Sequence, residues 1–138
     1  MVLRKWVLNA HICGIHFYSS PHLLIDCHED RMMREDVFLR VEGGWLFEPS
    51  RTEGWPQIPL KGGPLEDLAA VSVKLRPHAI SRAELGSVRS DLRLTFSNGA
   101  ALYVSGSHPE FESWELQYPG GNLVNLAGGD LAIFDSTV

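Results

Sequence analysis

Short alternating segments separated by turn residues run through most of this 138-residue chain. Apolar and polar residues alternate over 12–18, 23–28 and 92–96, which is the period of a strand with one buried face. Asn98 and Gly99 follow the last of these segments, and an Asn-Gly pair flanked by alternating apolar residues is the strongest short-range signal for a β-hairpin. The sequence therefore predicts a fold built mainly from antiparallel hairpins.

The first hairpin has a predicted register that sorts its residues into two faces. With a turn centred on Ser20, the predicted partners on the apolar face are Cys13 with Cys27, Ile15 with Ile25 and Phe17 with Leu23, while His16, Asp26 and His28 share the polar face. Two cysteines opposed on neighbouring strands can form a disulfide. Because cytosolic thiols stay reduced, we expect a reduced, packed pair instead.

One short helix interrupts the strands. Pro64 precedes two acidic residues, Glu66 and Asp67, which is typical of a helix start, and we predict a helix over 64–70 followed by a strand over 71–76. The predicted class is α+β and β-rich, with antiparallel sheets built from successive hairpins.

We expect a single domain over residues 1–138. The spacing of the hairpins suggests a weak duplication into halves of about 1–63 and 64–138.

Composition excludes several classes of protein. An apolar fraction of 44% with a net charge of −5 is that of a soluble globular domain and not of a disordered chain. Two cysteines cannot build a disulfide framework or an all-thiolate zinc site. No apolar run approaches the roughly 18 residues that span a bilayer, and the N-terminus lacks the features of a signal peptide. We therefore expect a cytoplasmic protein with no membrane partner.

The net charge is confined to one part of the sequence. Arg93 is the last basic residue, and residues 1–93 carry 12 basic and 12 acidic side chains. The whole charge of −5 therefore lies in 94–138, on Glu110, Glu112, Glu115, Asp130 and Asp135. This distribution argues against a nucleic-acid partner, which requires a basic surface. It is compatible either with a solvated acidic rim or with an acidic face that attracts a basic protein.

Catalytic and metal-binding motifs are incomplete. His28 and Glu29 begin an H-E-x-x-H motif, but Met32 stands where the second histidine is required. His108 and Glu110 match half of a zinc deaminase signature whose two downstream cysteines are missing. A metal site formed from His11, His16, His22 and His28 is the remaining possibility, against scattered surface histidines. We predict no catalytic residue, no metal and no cofactor.

Trp55 differs from the other tryptophans because it lies in a segment rich in proline and glycine. Such a residue can pin the loop to the domain, or it can anchor a protein interface, where tryptophan is enriched.

The C-terminal third resembles a family of small bacterial domains, mainly of actinobacterial type, whose function is unknown. The resemblance rests on the F-x-D/N-G pattern at 96–99, the Y/F-E-x-W-x-L pattern at 111–116 and the G-G-x-L-A-x-W/F pattern at 128–134. It implies a shared fold more than an activity. In size, acidity and predicted strand content the chain is also similar to immunity proteins of bacterial toxin systems, which is an analogy of type.

Two functional hypotheses follow. The first is a non-enzymatic protein-binding module, most concretely an immunity protein that neutralises a cognate toxin. Its predicted partner-binding residues are Glu110, Glu112, Glu115, Asp130 and Trp55. The alternative is a small-molecule- or metal-binding β-domain, possibly enzymatic, with His16 and His28 on a polar face.

Overall fold

The computed structural model describes residues 2–17, 19–27, 37–56, 60, 63–86, 90–106 and 113–135. Across these residues two α-helices and ten strands follow one another along the chain. They are α1 (Val2–Val7), β1 (Ala10–Phe17), β2 (Pro21–Cys27), β3 (Val37–Val41), β4 (Trp45–Glu48), α2 (Leu65–Leu75), β5 (Ile80–Leu85), β6 (Leu92–Phe96), β7 (Ala101–Val104), β8 (Trp114–Tyr118), β9 (Gly121–Asn125) and β10 (Leu131–Asp135), with a short 3-10 turn at Ala127–Gly129. The fold is β-rich α+β with antiparallel sheets, as predicted.

The first sheet has six strands in the order β1-β2-β3-β8-β9-β10, so that β1 and β10 are its edges. A row of apolar residues crosses the sheet on its inner face, because each residue lies opposite the next on the neighbouring strand. The row runs Ile15, Leu23, Leu39, Leu116, Leu123 and Ile133. The four leucines are buried in the core, and the row therefore fixes the register of the whole sheet.

The predicted register of the first hairpin is wrong. Ile15 lies opposite Leu23, and Cys27 lies opposite Ala10. The register shifts between Ile12 and Gly14, which indicates a β-bulge that takes Cys13 out of the regular pairing. The pairs from Gly14 to Phe17 are centred on residue 19 and not on Ser20, so the turn also lies one residue earlier than predicted.

A second sheet has four strands in the order β4-β7-β6-β5. Its central hairpin, β6–β7, turns at Asn98 and Gly99 as predicted, and Gly99 adopts the left-handed conformation with φ of +88°. The side chain of Asn98 accepts a hydrogen bond of 3.1 Å from the Ala100 N–H, which closes the turn. Each of the two sheets takes strands from both halves of the sequence.

The helices differ from the prediction in two respects. The helix α1, which contains Trp6, was not predicted. The helix α2 continues to Leu75, so that the predicted strand over 71–76 is wrong. Leu68, Val71 and Leu75 are buried at helical spacing while Val73 is exposed. The sequence does not show this exposure, because apolar residues at 71, 73 and 75 also fit the alternation of a strand.

One apolar core joins both sheets and α1. The helix α1 contacts β1 and β2 of the first sheet and β5 of the second, and α2 packs against β1. Asn9 ends α1 in the left-handed conformation, and its N–H donates to the Ile80 carbonyl in β5. Neither helix of the described residues is long and apolar enough to cross a membrane.

Candidate functional site

Glu115, a predicted partner-binding residue, lies on the outer face of the first sheet in an ion pair. The Arg40 guanidinium donates through Nε and Nη2 to Oε1 of Glu115, at 3.2 and 2.9 Å. The other carboxylate oxygen accepts a 2.7 Å hydrogen bond from the Asn122 amide. Arg40 also contacts Glu42 at 2.8 Å. The charge of Glu115 is therefore largely compensated by its neighbours, and the side chain acts to cross-link β3, β8 and β9.

Asp130 is exposed, in contrast to the half-buried Glu115. It directly precedes β10, and its backbone carbonyl accepts a 2.7 Å hydrogen bond from the Leu126 N–H. Three large apolar side chains follow it on β10, with exposed fractions of 38% for Leu131, 52% for Ile133 and 55% for Phe134. Glu110 and Glu112 lie outside the described residues. Asp130 and β10 thus form an exposed strip that combines acidic and apolar groups, which we call the β10 edge.

Trp55 lies on the outer face of the second sheet, away from the β10 edge. Its ring packs over the Arg93 guanidinium at 4.4 Å and meets the Tyr103 ring edge-on at 6.0 Å. The Arg93 side chain is only 3% exposed, and its Nη1 donates to the Gly54 carbonyl at 3.2 Å. A desolvated cation over a tryptophan ring contributes about 2 kcal/mol. In this structure Trp55 fastens the loop over 49–56 to the sheet.

Glu84 balances the charge of the buried Arg93. It lies opposite Arg93 in the β5–β6 ladder, and its Oε1 accepts from Arg93 Nε at 3.2 Å. Arg51 and Arg82 also contact the Glu84 carboxylate, at 3.4 and 3.2 Å. Burial alone would raise the pKa of Glu84, but attraction and hydrogen bonding from Arg93, with the charges of Arg82 and Arg51, outweigh it and lower the pKa. The contacts of this network join β5 and β6 to the loop over 49–56.

The outer face of the second sheet also carries buried polar atoms without a protein hydrogen-bond partner. They are Glu48 Oε1, Arg51 Nε, Thr95 Oγ1 and the Tyr103 hydroxyl. Glu48, Thr95 and Tyr103 lie on β4, β6 and β7, one on each strand, and on the same face of the sheet. Arg51 belongs to the loop over 49–56, and its N–H donates to the Gly99 carbonyl. All five residues of β6 are buried, so the loop covers the polar face that the alternation predicted to be exposed.

The described histidines of the first hairpin contact backbone carbonyls or an aromatic ring. The Nδ1 atom of His11 is 2.9 Å from the Arg76 carbonyl, and Nδ1 of His22 is 3.0 Å from the Ser20 carbonyl. His16 lies opposite His22, and both rings contact Phe38. His28 lies outside the described residues, among which no group of three or more metal-ligating side chains converges. Cys13 is half-buried, and its Sγ donates to the Leu24 carbonyl at 3.6 Å.

Comparison with known proteins places the chain in a family. The model of DUF6188, a family of unknown function, matches residues 63–135, just over half of the chain. The chain belongs to DUF6188. The DUF6188 match begins just before α2 and extends through β10, so that it includes the β10 edge. No curated protein and no solved structure shows a significant match.

The sequence predicts acidic residues in this region but not the exposure of the apolar side chains beside them. Leu131, Ile133 and Phe134 look like an ordinary core strand, since alternation and short apolar runs do not distinguish a central strand from an edge. The available signal was the position of the segment, because the last strand of a meander often lies at the edge of its sheet. Strand order, which depends on non-local pairing, decides whether such a strand is covered.

Proposed function

We propose that the chain is a non-enzymatic protein-binding module of the immunity-protein type, which binds a basic face of a cognate toxin. The observation that carries the proposal is the coincidence of exposed apolar side chains and an exposed acidic residue at the β10 edge. Ile133 and Phe134 are more than half exposed, and Asp130 beside them is exposed in a region of sequence without any basic residue. Exposed apolar groups within a polar surrounding are typical of interaction sites.

The acidic residues have different roles in this proposal. Asp130 contributes charge directly to the interface, and Glu110 and Glu112 add to the same negative region of sequence. Glu115 contributes less, since Arg40 is 2.9 Å from its carboxylate. Trp55 packs on Arg93 and Tyr103 of the second sheet, so the proposed contact at the β10 edge does not include it. Charges at the margin of an interface act mainly on the association rate and on register.

A binding measurement with a charge-matched control tests the proposal. The probe is the protein encoded by the gene next to that of this chain, which the proposal expects to be a toxin-domain protein, titrated by biolayer interferometry over a salt series. Asp130→Lys is expected to slow association by about three- to tenfold at low salt, with less effect at high salt. Glu66→Lys makes the same charge change on α2, which packs against the opposite edge strand β1, and should leave the rate unchanged.

Two results would contradict the proposal. The first is that the neighbouring protein does not bind the wild-type chain even at low salt. The second is that Asp130→Lys and Glu66→Lys slow association equally. In the second case the interaction senses only net charge and does not use the β10 edge.

A further inference from the structure

The outward side of β10 carries no strand partner among the described residues. Its inward side pairs regularly with β9, from Leu131 opposite Asn125 to Asp135 opposite Gly121. The Leu126 N–H donates to the Asp130 carbonyl, so Leu126 and Asp130 form a hydrogen-bonded pair at the start of this ladder. Because hydrogen-bonded and non-hydrogen-bonded pairs alternate, Ala132 and Phe134 bond to β9. The N–H and C=O groups of Leu131 and Ile133 therefore point away from β9, towards the open edge.

The apolar inner face of the first sheet continues onto this open strand. The row that crosses the sheet is buried from Leu23 to Leu123, and it ends at Ile133, which is 52% exposed. Phe134, on the other face of the same strand, is 55% exposed. An added strand would therefore find an open backbone and apolar side chains on both faces.

The other edge strands carry features that discourage strand addition. Both β1 and β5 contain a register shift typical of a bulge, and each has a helix packed against it. The edge strand β4 has only four residues and is followed directly by Pro49. Bulges, covering helices, short length and proline are the usual ways in which proteins protect sheet edges. The strand β10 has a regular register, no proline and no basic residue.

Charge distinguishes the possible occupants of the edge. The sequence around this edge carries acidic residues and no basic one, and Asp130 is exposed beside it. Two copies paired along β10 would bring together two segments of the same negative charge, which repel each other. A strand with basic residues would instead bring opposite charge to Asp130.

We propose that β10 binds an extended basic segment of a partner protein by strand addition. This inference rests on the proposed function and specifies how the partner is held. Main-chain hydrogen bonds to Leu131 and Ile133 supply affinity, the apolar side chains on either face supply packing, and Asp130 selects a segment with lysine or arginine. A second copy of the chain is the occupant that the charges disfavour.

An appended strand tests this inference without the natural partner. A short segment of alternating valine and lysine is fused to the C-terminus of the full chain through a flexible Gly/Ser linker, which gives an effective concentration of about millimolar. The control fusion replaces each lysine by glutamate. Amide hydrogen exchange is then measured by NMR at Leu131 and Ile133, with Ala132 and Phe134 as internal references that are already bonded to β9.

The basic fusion is expected to slow exchange at Leu131 and Ile133 by at least about tenfold, because a hydrogen-bonded amide must open before it exchanges. The acidic fusion should leave exchange at its rate in the unfused chain. Unchanged exchange in both fusions would show that the edge does not accept a strand, and equal protection by both would overturn the preference for a basic one. Protection by the basic fusion combined with no binding of the toxin-domain protein would contradict the proposed function alone.

Discussion

Replacing Glu84 by glutamine tests the charge network that fastens the loop over 49–56 to the second sheet. The change removes the only carboxylate that contacts the Arg93 guanidinium within the described residues, while the side-chain size is retained. Removing one partner of a fully buried ion pair costs about 3–5 kcal/mol. Glu84 keeps a side-chain exposure of 24%, and the glutamine amide oxygen still accepts a hydrogen bond. We therefore expect the free energy of unfolding to fall by about 2 kcal/mol.

The pH dependence of this loss has a definite sign. The folded-state pKa of Glu84 is lowered below 4.5 because the attraction of Arg93, Arg82 and Arg51 exceeds the desolvation penalty of burial. A lowered pKa contributes stability that is fully present above the unfolded-state pKa and is lost as the pH falls through the folded-state pKa. The difference between the wild type and Glu84→Gln should therefore be largest at neutral pH and shrink below about pH 4.5.

Urea denaturation followed by tryptophan fluorescence measures this difference, since a domain of this size is expected to unfold in two states. Glu53→Gln is the matched control, because Glu53 is an exposed residue of the same loop. The reasoning is refuted if Glu84→Gln lies within about 0.5 kcal/mol of the wild type, the range usual for surface substitutions. A loss that is independent of pH would show that the charge of Glu84 is not its cause.

Three further substitutions have expected outcomes in the same unfolding assay. Tyr103→Phe should raise the free energy of unfolding by up to about 1 kcal/mol, because it removes a buried hydroxyl without a protein partner; a loss of stability would instead reveal a bound polar molecule at that hydroxyl. Gly99→Ala should lower it by about 1 kcal/mol, since φ of +88° is strained for alanine although no atom is within 4 Å. No change would refute this conformational argument. Glu115→Gln should lower it by about 1–2 kcal/mol by weakening the contact with Arg40, and an unchanged value would show that the pair contributes nothing to stability.

The hairpins could be predicted from sequence because their determinants are local. Asn98 and Gly99 specify a turn by their own conformational preferences, and the alternation on either side of them follows from the two-residue period of a strand. The same local information failed where a single residue disturbs the period. The turn of the first hairpin is centred one residue before Ser20, and the bulge after Ile12 takes Cys13 out of the regular pairing. The alternation of the sequence marks neither of these two changes.

The helices show a second limit of sequence patterns. Over a short segment such as 71–75, Val71, Val73 and Leu75 fit both a strand and a helix, and the packing of α2 against β1 decides between them. Alternation alone favours a strand over 71–76, whereas the helix start at Pro64 is compatible with a longer helix.

Only the negative charge of the candidate site could be predicted from the sequence. The sequence shows that no basic residue follows Arg93, but it does not show which acids are compensated. Arg40 reaches Glu115 from a strand that is distant in sequence, so this pairing appears only in the folded chain. The exposure of Ile133 likewise depends on β10 being the last strand of its sheet, which is a property of the topology and not of the segment.

Amide exchange in the complex with the toxin-domain protein tests the central claim, that this chain binds its partner through the β10 edge. The measurement compares the free and bound chains at Leu131 and Ile133, whose N–H groups point outward, with Ala132 and Phe134 as references. We predict that binding slows exchange at the two outward amides by at least about tenfold and changes the references much less. A complex that forms while Leu131 and Ile133 continue to exchange at their free rates would contradict the account.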